Sequence, residues 1–182
     1  MRVGVLVAAA LMATGASATD GEWFESRFGE QRAYFGAWLA VCDDSGTGQC
    51  RLVQEPASDA PDSSYYRVAM LLLEDDQKWV MEVTQRGMPS EQLTDVSFTI
   101  DGKVTDAPEG SWKLGENDVD NVAETFTVTD PVLMETLLTE MREGANMQIG
   151  YVPPGDGLGS IPVSLSGVTS GTTAIPANYA AR

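Results

Sequence analysis

The chain has 182 residues, 43% of them hydrophobic, which suits one domain with a single hydrophobic core. Its formal net charge of -16 at pH 7 disfavours binding to nucleic acid and direct binding to anionic membranes, because an acidic surface repels phosphate groups. The absence of histidine excludes Ser-His-Asp and Cys-His catalysis and the usual zinc and copper ligand sets.

The N-terminus predicts a secretory signal peptide over residues 1–18. Arg2 precedes an apolar run from Val3 to Met12, and the small residues Ala16-Ser17-Ala18 favour cleavage after Ala18. An uncleaved membrane anchor is the alternative, but the run is shorter than the ~20 apolar residues that a bilayer span needs. We therefore expect a periplasmic or secreted protein, whose formal charge changes from -16 to -17 when the one positive charge of Arg2 is lost.

Residues 19–34 are predicted to form an N-terminal arm, with a weak helical pattern that Gly29 interrupts; an extended arm is the alternative. Aromatic residues are crowded before the first predicted strand: Trp23, Phe24, Phe28, Tyr34 and Phe35. These side chains either pack the arm onto the rest of the domain or form a surface for a partner protein, with Trp23, Phe24 and Phe28 as its candidates, since aromatic residues are enriched at interfaces.

Both cysteines flank one predicted hairpin loop. Trp38 to Cys42 and Cys50 to Gln54 are predicted as neighbouring strands, and the loop between them, DDSGTG, is rich in turn-forming residues. In an oxidising compartment we expect Cys42 and Cys50 to form a disulfide that closes this hairpin. A redox-active pair is the alternative, although it would favour closer spacing and a helix N-terminus.

Apolar residues that alternate with a period of two predict further strands. They are Tyr66, Val68, Met70 and Leu72; Trp79, Met81 and Val83; Val96, Phe98 and Ile100; Trp112 and Leu114; Phe126 and Val128; Met147, Ile149 and Tyr151; and Ile161, Val163 and Leu165. Asp101-Gly102 is a strong hairpin signal. The pattern predicts a mainly β fold of about eight strands, an antiparallel β-sandwich or a partly open barrel.

One late α-helix is predicted after these strands. Asp130 suits the N-cap and Pro131 the first helical position, and Gly144 marks the end. Apolar residues repeat every four positions between them: Leu133, Leu137 and Met141. We expect this helix to pack across a sheet, and residues 176–182 to form a flexible tail.

Two polar clusters are candidates for calcium binding, because calcium prefers carboxylate and carbonyl oxygens. The first is Asn117, Asp118, Asp120 and Asn121, and the second is Asp43-Asp44-Ser45-Gly46. Neither follows the EF-hand spacing, so solvated loops are the alternative. Acid–base catalysis by two carboxylates is open to a histidine-free chain, but no particular pair is indicated. We therefore predict no catalytic residue, no cofactor and no metal.

Two stretches of the chain together resemble the invasion-associated locus B family. FGAWLAVCDDSGTGQCRLVQE resembles the family's opening motif, in which F-G-x-W precedes a cysteine pair. LMETLLTEMREGANMQIGY and IPVSLSGVTSGTTAI resemble its helix, glycine, strand and closing S-L-x-G-F segment. The similarity spans residues 35–175, the predicted domain. The chain lacks the second cysteine pair common in the family, and it has Val168 in place of the closing phenylalanine.

The resemblance implies an exported, non-catalytic β-sandwich of the bacterial envelope that acts through contact with an unidentified protein. It implies Trp38 as a core anchor, Cys42 and Cys50 as a structural disulfide, and Ser164-Leu165-Ser166-Gly167 as the final strand and its turn. A role in host invasion is not carried over. The alternative function is a calcium- or small-molecule-binding periplasmic β-domain.

Overall fold

The computed structural model describes residues 20–43, 49–56, 65–73, 78–88, 93–114, 125–152 and 158–180, so the predicted signal peptide lies outside it. These residues form twelve β-strands and two α-helices. The strands are β1 (Phe24–Glu25), β2 (Gln31–Phe35), β3 (Trp38–Cys42), β4 (Cys50–Gln54), β5 (Tyr66–Leu72), β6 (Trp79–Gln85), β7 (Asp95–Ile100), β8 (Lys103–Ala107), β9 (Trp112–Leu114), β10 (Thr125–Val128), β11 (Asn146–Val152) and β12 (Gly159–Ser164). The helices are α1 (Pro131–Glu143) and α2 (Val168–Ala180).

The strands form two antiparallel sheets. The larger sheet has eight strands in the order β1-β2-β3-β4-β5-β6-β10-β9, and the smaller has four in the order β12-β11-β7-β8. Buried side chains of both sheets and both helices share one hydrophobic core. The predicted mainly β, antiparallel, sandwich-like class is confirmed. The described strands outnumber the eight or so predicted, in part because the N-terminal arm itself contributes β1 and β2 as a hairpin rather than a helix.

Helix α1 begins and packs as its sequence predicts. The Asp130 carboxylate accepts a hydrogen bond of 2.7 Å from the backbone N–H of Leu133, and Pro131 occupies the first turn. Its buried residues form one stripe: Leu133, Met134, Leu137, Leu138 and Met141. The helix packs on β6 and β7, one strand from each sheet. It therefore packs against both sheets.

Helix α2 was not predicted, and residues 176–180, assigned by sequence to a flexible tail, lie within it. Gly171 and Pro176 have poor helix propensity, which hides the pattern. The helix is stabilised instead by packing on β2, β3, β4 and α1. At Gly171 a Cβ atom would lie 2.6 Å from a methyl carbon of Leu52, so glycine permits this close approach to the sheet. Within the described part of the chain, neither helix has the length and apolar character needed to cross a membrane.

The predicted disulfide is confirmed. Cys42 and Cys50 face each other across the β3–β4 ladder with their Cα atoms 4.1 Å apart, and they are bonded. Both side chains are buried, and the described residues contain no free cysteine. The bond therefore joins two adjacent strands of the larger sheet from the core side, as expected for a structural disulfide.

The two sheets are joined at a point that we call the Ser164 junction, formed by Trp38, Gln54 and Ser164. The fully buried Trp38 donates its indole N–H to the backbone carbonyl of Ser164 at 2.8 Å. The buried side-chain amide of Gln54 donates to the same carbonyl at 2.8 Å and accepts from the Ser164 N–H at 2.9 Å. The end of β12 is thus hydrogen-bonded to side chains from β3 and β4, and Trp38 lies in the hydrophobic core.

Beside this junction, two glycines allow the backbone segments to touch. A Cβ atom at Gly36 would lie 2.5 Å from the Ser166 carbonyl oxygen, and one at Gly167 would lie 1.9 Å from that of Phe35. Both glycines have positive φ, which side-chain-bearing residues rarely adopt. The opening and closing motifs of the chain therefore meet in space, and their glycines serve the fold.

We expect Gln54→Leu to lower the free energy of unfolding by about 1–3 kcal/mol, because the partly buried Ser164 N–H and C=O would each lose the hydrogen bond that the Gln54 amide provides. Urea denaturation measures this change. Gln148→Leu is the matched control, since Gln148 is exposed on β11 and should change stability by at most about 0.5 kcal/mol. Equal losses in the two variants would contradict the importance of the Ser164 junction.

Replacing both Cys42 and Cys50 by alanine should lower the free energy of unfolding by roughly 2.5 kcal/mol, because the disulfide closes a short loop in the unfolded chain. Denaturation with and without a thiol reductant tests this effect. The reductant should destabilise the wild type but leave the double variant unchanged. Mass spectrometry that found both thiols free in the exported protein would refute the prediction.

Candidate partner-binding surface

The predicted arm places its aromatic side chains at one edge of the larger sheet. Phe24 stacks on Tyr34 with ring centroids 6.1 Å apart, and Tyr34 is 47% exposed. Phe28 is 66% exposed in the β1–β2 turn, with the Arg27 guanidinium 4.6 Å above its ring. Trp23 instead packs on the core, edge-on to Phe35. Of the three predicted partner-surface residues, Phe24 and Phe28 therefore lie on the surface. Trp23 instead packs the β1–β2 hairpin against the core.

The strand register places further residues on the same side as Phe24. The first row across the sheet is Phe24, Arg32, Val41, Arg51, Leu71 and Val80. The second row is Tyr34, Leu39, Val53, Ala69, Glu82, Thr127 and Lys113. The third row is Arg67, Thr84 and Thr125. We call these three rows the outer face, because the alternate residues of the same strands point into the core.

The outer face is more apolar than the free side of an antiparallel sheet usually is. Leu39, Val53, Leu71 and Val80 are half-buried there. Val41 is only 5% exposed, and it lies in register between Arg32 and Arg51. Long arginine side chains can cover apolar neighbours with their methylene groups while keeping the charge in water. The outer face is thus a shallow apolar surface interleaved with cations.

Both helices pack on the opposite side of this sheet. Gly171 of α2 lies against Leu52, whose side chain belongs to the core side of β4. Met134 and Leu138 of α1 are core residues as well. Among the described elements, neither helix covers the outer face.

The charges of the outer face are partly paired. Arg32 bonds the Glu30 carboxylate, with its Nε at 2.9 Å, and Arg67 forms an ion pair with Glu82 at 2.9 Å. The hydrogen bond from Arg32 lowers the pKa of Glu30 below its usual 4.5, against a smaller opposing effect of burial. Arg51 is exposed and forms no ion pair with a carboxylate in the described residues.

Two concave sites lie elsewhere in the described structure. A mostly apolar cavity of about 290 Å³ lies between β6 and α1 and is lined by Lys78, Trp79, Pro131, Met134, Glu135 and Leu138. A wider groove of about 470 Å³ lies between the β8–β9 connection and α1. No three His, Cys, Asp or Glu residues of the described ranges converge as metal ligands. The calcium candidates Asn117, Asp118, Asp120 and Asn121, and most of the Asp43–Gly46 cluster, fall outside those ranges.

Sequence reasoning identified the crowded aromatic residues of the arm, but neither their position at a sheet edge nor the larger surface beside them. Its signal was present, because β3 and β5 are apolar at consecutive positions and not only at alternate ones. Leu39 and Val41 lie on the side opposite Trp38, as expected from alternation. What the sequence does not show is which rows of different strands align, and that alignment creates the continuous surface.

The architecture defines a class of mainly β domain in which two antiparallel sheets share a core and a disulfide closes one hairpin. No protein-family model and no curated protein matches the chain. Among solved structures, it is similar to invasion associated protein B from Bartonella henselae, with a TM-score of 0.56 over 80% of this chain and 96% of that chain. Sequence identity is 14%, so the likeness establishes the fold, and the resemblance is confirmed at that level.

We expect Arg32→Gln to raise the pKa of Glu30 towards 4.5, because the hydrogen bond that favours the carboxylate is lost. In the wild type this carboxylate contributes stability above its unfolded pKa, and the contribution disappears as pH falls through the lowered folded pKa. An NMR titration of Glu30 measures the change. Arg67→Gln, which breaks a different ion pair on the same face, should leave the titration unaltered, and an unchanged Glu30 in Arg32→Gln would refute the assignment.

Proposed function

We propose that this chain is an exported, non-catalytic protein of the bacterial envelope that acts by contact with another protein through the outer face. The observation that carries the proposal is the outer face itself, a sheet surface with half-buried apolar rows beside exposed aromatic residues. Surfaces of this kind on soluble proteins usually mark interaction sites. Leu39, Val53 and Leu71 would gain most from being covered, because each still has apolar area in contact with water.

Export is supported by the N-terminal sequence. Residues 1–18 have the charge, apolar run and small residues of a cleavable signal peptide. The Cys42–Cys50 disulfide is consistent with an oxidising compartment such as the periplasm. The chain also shares its fold with invasion associated protein B, and the resemblance of its motifs to the invasion-associated locus B family implies a location in the envelope.

The non-catalytic part of the proposal is supported by composition. A chain without histidine lacks the most common general base and the partner that activates serine or cysteine nucleophiles. Catalysis would then need two carboxylates facing each other in one cleft. The outer face is instead broad and shallow, which suits contact with a protein better than enclosure of a substrate.

Site-specific crosslinking in the living bacterium tests this proposal. A photo-reactive phenylalanine in place of Tyr34 should crosslink a specific envelope protein. The same photo-reactive residue in place of Val104 is the control, because Val104 is also exposed, at 59%. It should not crosslink that protein, since Val104 lies on β8 of the smaller sheet and not on the outer face.

A second substitution links the crosslink to the outer face. Val53→Asp should abolish the product formed at position 34, because it places a charge among the apolar rows, whereas Val104→Asp should leave it intact. Thermal melting of each variant confirms that the fold is retained. Crosslinks of equal yield at positions 34 and 104, or no product at position 34, would refute the proposed function.

A further inference from the structure

The outer face differs in charge from the rest of the chain. Its rows contain the cations Arg32, Arg51, Arg67 and Lys113. The same rows contain one carboxylate, Glu82, and Glu30 and Glu55 lie at the margins. The whole chain carries 27 acidic residues against 11 basic ones. A protein with so few cations therefore concentrates several of them on the surface that is also unusually apolar.

Arg51 occupies the middle of this surface. Its neighbours in the first row are Val41 on β3 and Leu71 on β5, and Val53 follows two residues later on the same strand and side. Arg32 and Arg67 already have carboxylate partners, whereas Arg51 has none among the described residues. Arg51 therefore forms no ion pair with a described carboxylate, and its neighbours within the row are apolar. The nearest described charge effect is on Glu30, whose pKa is lowered mainly by the hydrogen bond from Arg32 and to a smaller extent by Arg51.

A partner that covers the apolar rows must also cover Arg51. Removing an arginine from water is strongly unfavourable unless an opposite charge and hydrogen bonds replace the lost hydration. A guanidinium is best satisfied by a carboxylate, which it can bind through two parallel hydrogen bonds. The cost of burying Arg51 therefore selects for a partner that supplies a carboxylate at this point.

We propose that the partner is a protein segment that presents an Asp or Glu carboxylate to Arg51 and apolar side chains to the rows around it. This inference rests on the proposed function. Leu39, Val53 and Leu71 supply the apolar contacts, and the Arg51–carboxylate pair sets the position of the segment along the rows. The pair also provides specificity, since a segment with a basic residue there would bring two cations together.

An anionic membrane is the competing occupant, because lipid phosphate also binds arginine. A bilayer is an extended surface, so it would also meet the acidic remainder of a chain with net charge -16 and be repelled. Two apolar residues near the centre of the outer face, Val41 and Ala69, are also only 5% and 3% exposed, so they cannot insert into lipid. A compact acidic segment avoids both problems.

Binding of designed probes to the full mature chain tests the inference. The probes are a labelled peptide that alternates glutamate and leucine, its glutamine and lysine counterparts, and phosphatidylglycerol vesicles. The glutamate peptide should bind the wild type in preference to the other probes. Arg51→Gln should lower the affinity for the glutamate peptide by about tenfold or more, because a hydrogen bond between charged groups is lost. Arg51→Lys should keep part of the affinity.

Lys103→Gln is the matched control, because it removes the same charge from an exposed side chain on the smaller sheet. It should leave the affinity for the glutamate peptide unchanged. The inference would be overturned if the wild type and Arg51→Gln bound this peptide with equal affinity, or if the wild type preferred the lysine peptide or did not bind the glutamate peptide. Vesicle binding that requires Arg51 would also overturn it.

The crosslink at position 34 separates this inference from the proposed function. If the crosslink forms in the wild type and its yield falls in Arg51→Gln but not in Lys103→Gln, both are supported. If it forms with the same yield in Arg51→Gln, the carboxylate assignment fails while the contact function stands. If it does not form in the wild type, the contact function itself fails.

Discussion

The hydrogen bonds at Ser164 hold the architecture together. One backbone position at the end of β12 is bonded by the indole of Trp38 and the amide of Gln54, which belong to adjacent strands of the other sheet. Trp38 and Gln54 are buried, so their polar groups need partners within the protein, and the Ser164 backbone provides them. Gly36 and Gly167 allow this arrangement because they leave room where the two backbones touch. The similarity between the ends of this chain and the invasion-associated locus B motifs therefore reflects a structural junction, and it carries no chemistry by itself.

The same junction decides on which side of the larger sheet the two described helices pack. With β12 tied to β3 and β4, the smaller sheet and both helices occupy the core side. The opposite side retains apolar rows that no described helix covers, and it carries arginines in a chain that is otherwise strongly acidic. Contact with water is unfavourable for the apolar side chains of Leu39, Val53 and Leu71, so covering them would be favourable. Arg51 lies among them without an ion-pair partner in the described residues, and it restricts the chemistry of any group that covers them.

Prediction from sequence succeeded where the local signal and the tertiary requirement agree. The strands containing Val68, Met81 and Ile149 alternate clearly, Asp130 caps α1, and the two cysteines lie close enough in sequence to bond across a hairpin. Helix α2 was missed because its glycine, proline and threonines disfavour a helix locally. Its buried residues, Val168, Thr172 and Ile175, nevertheless have helical spacing. That weak pattern becomes stable only when the helix packs against Leu52 and its neighbouring strands.

By itself, the amino-acid sequence determined the class of fold, the disulfide and the crowding of aromatic residues in the N-terminal arm, because each follows from residue types and spacings within a short stretch of chain. The tertiary structure alone decided that Trp38 and Gln54 meet Ser164, and that Arg51 lies between Val41 and Leu71. These juxtapositions join residues from different strands, and their register depends on side-chain packing and turn geometry throughout the sheet. The surface that we propose to be functional is therefore a property of strand alignment, which no single segment encodes.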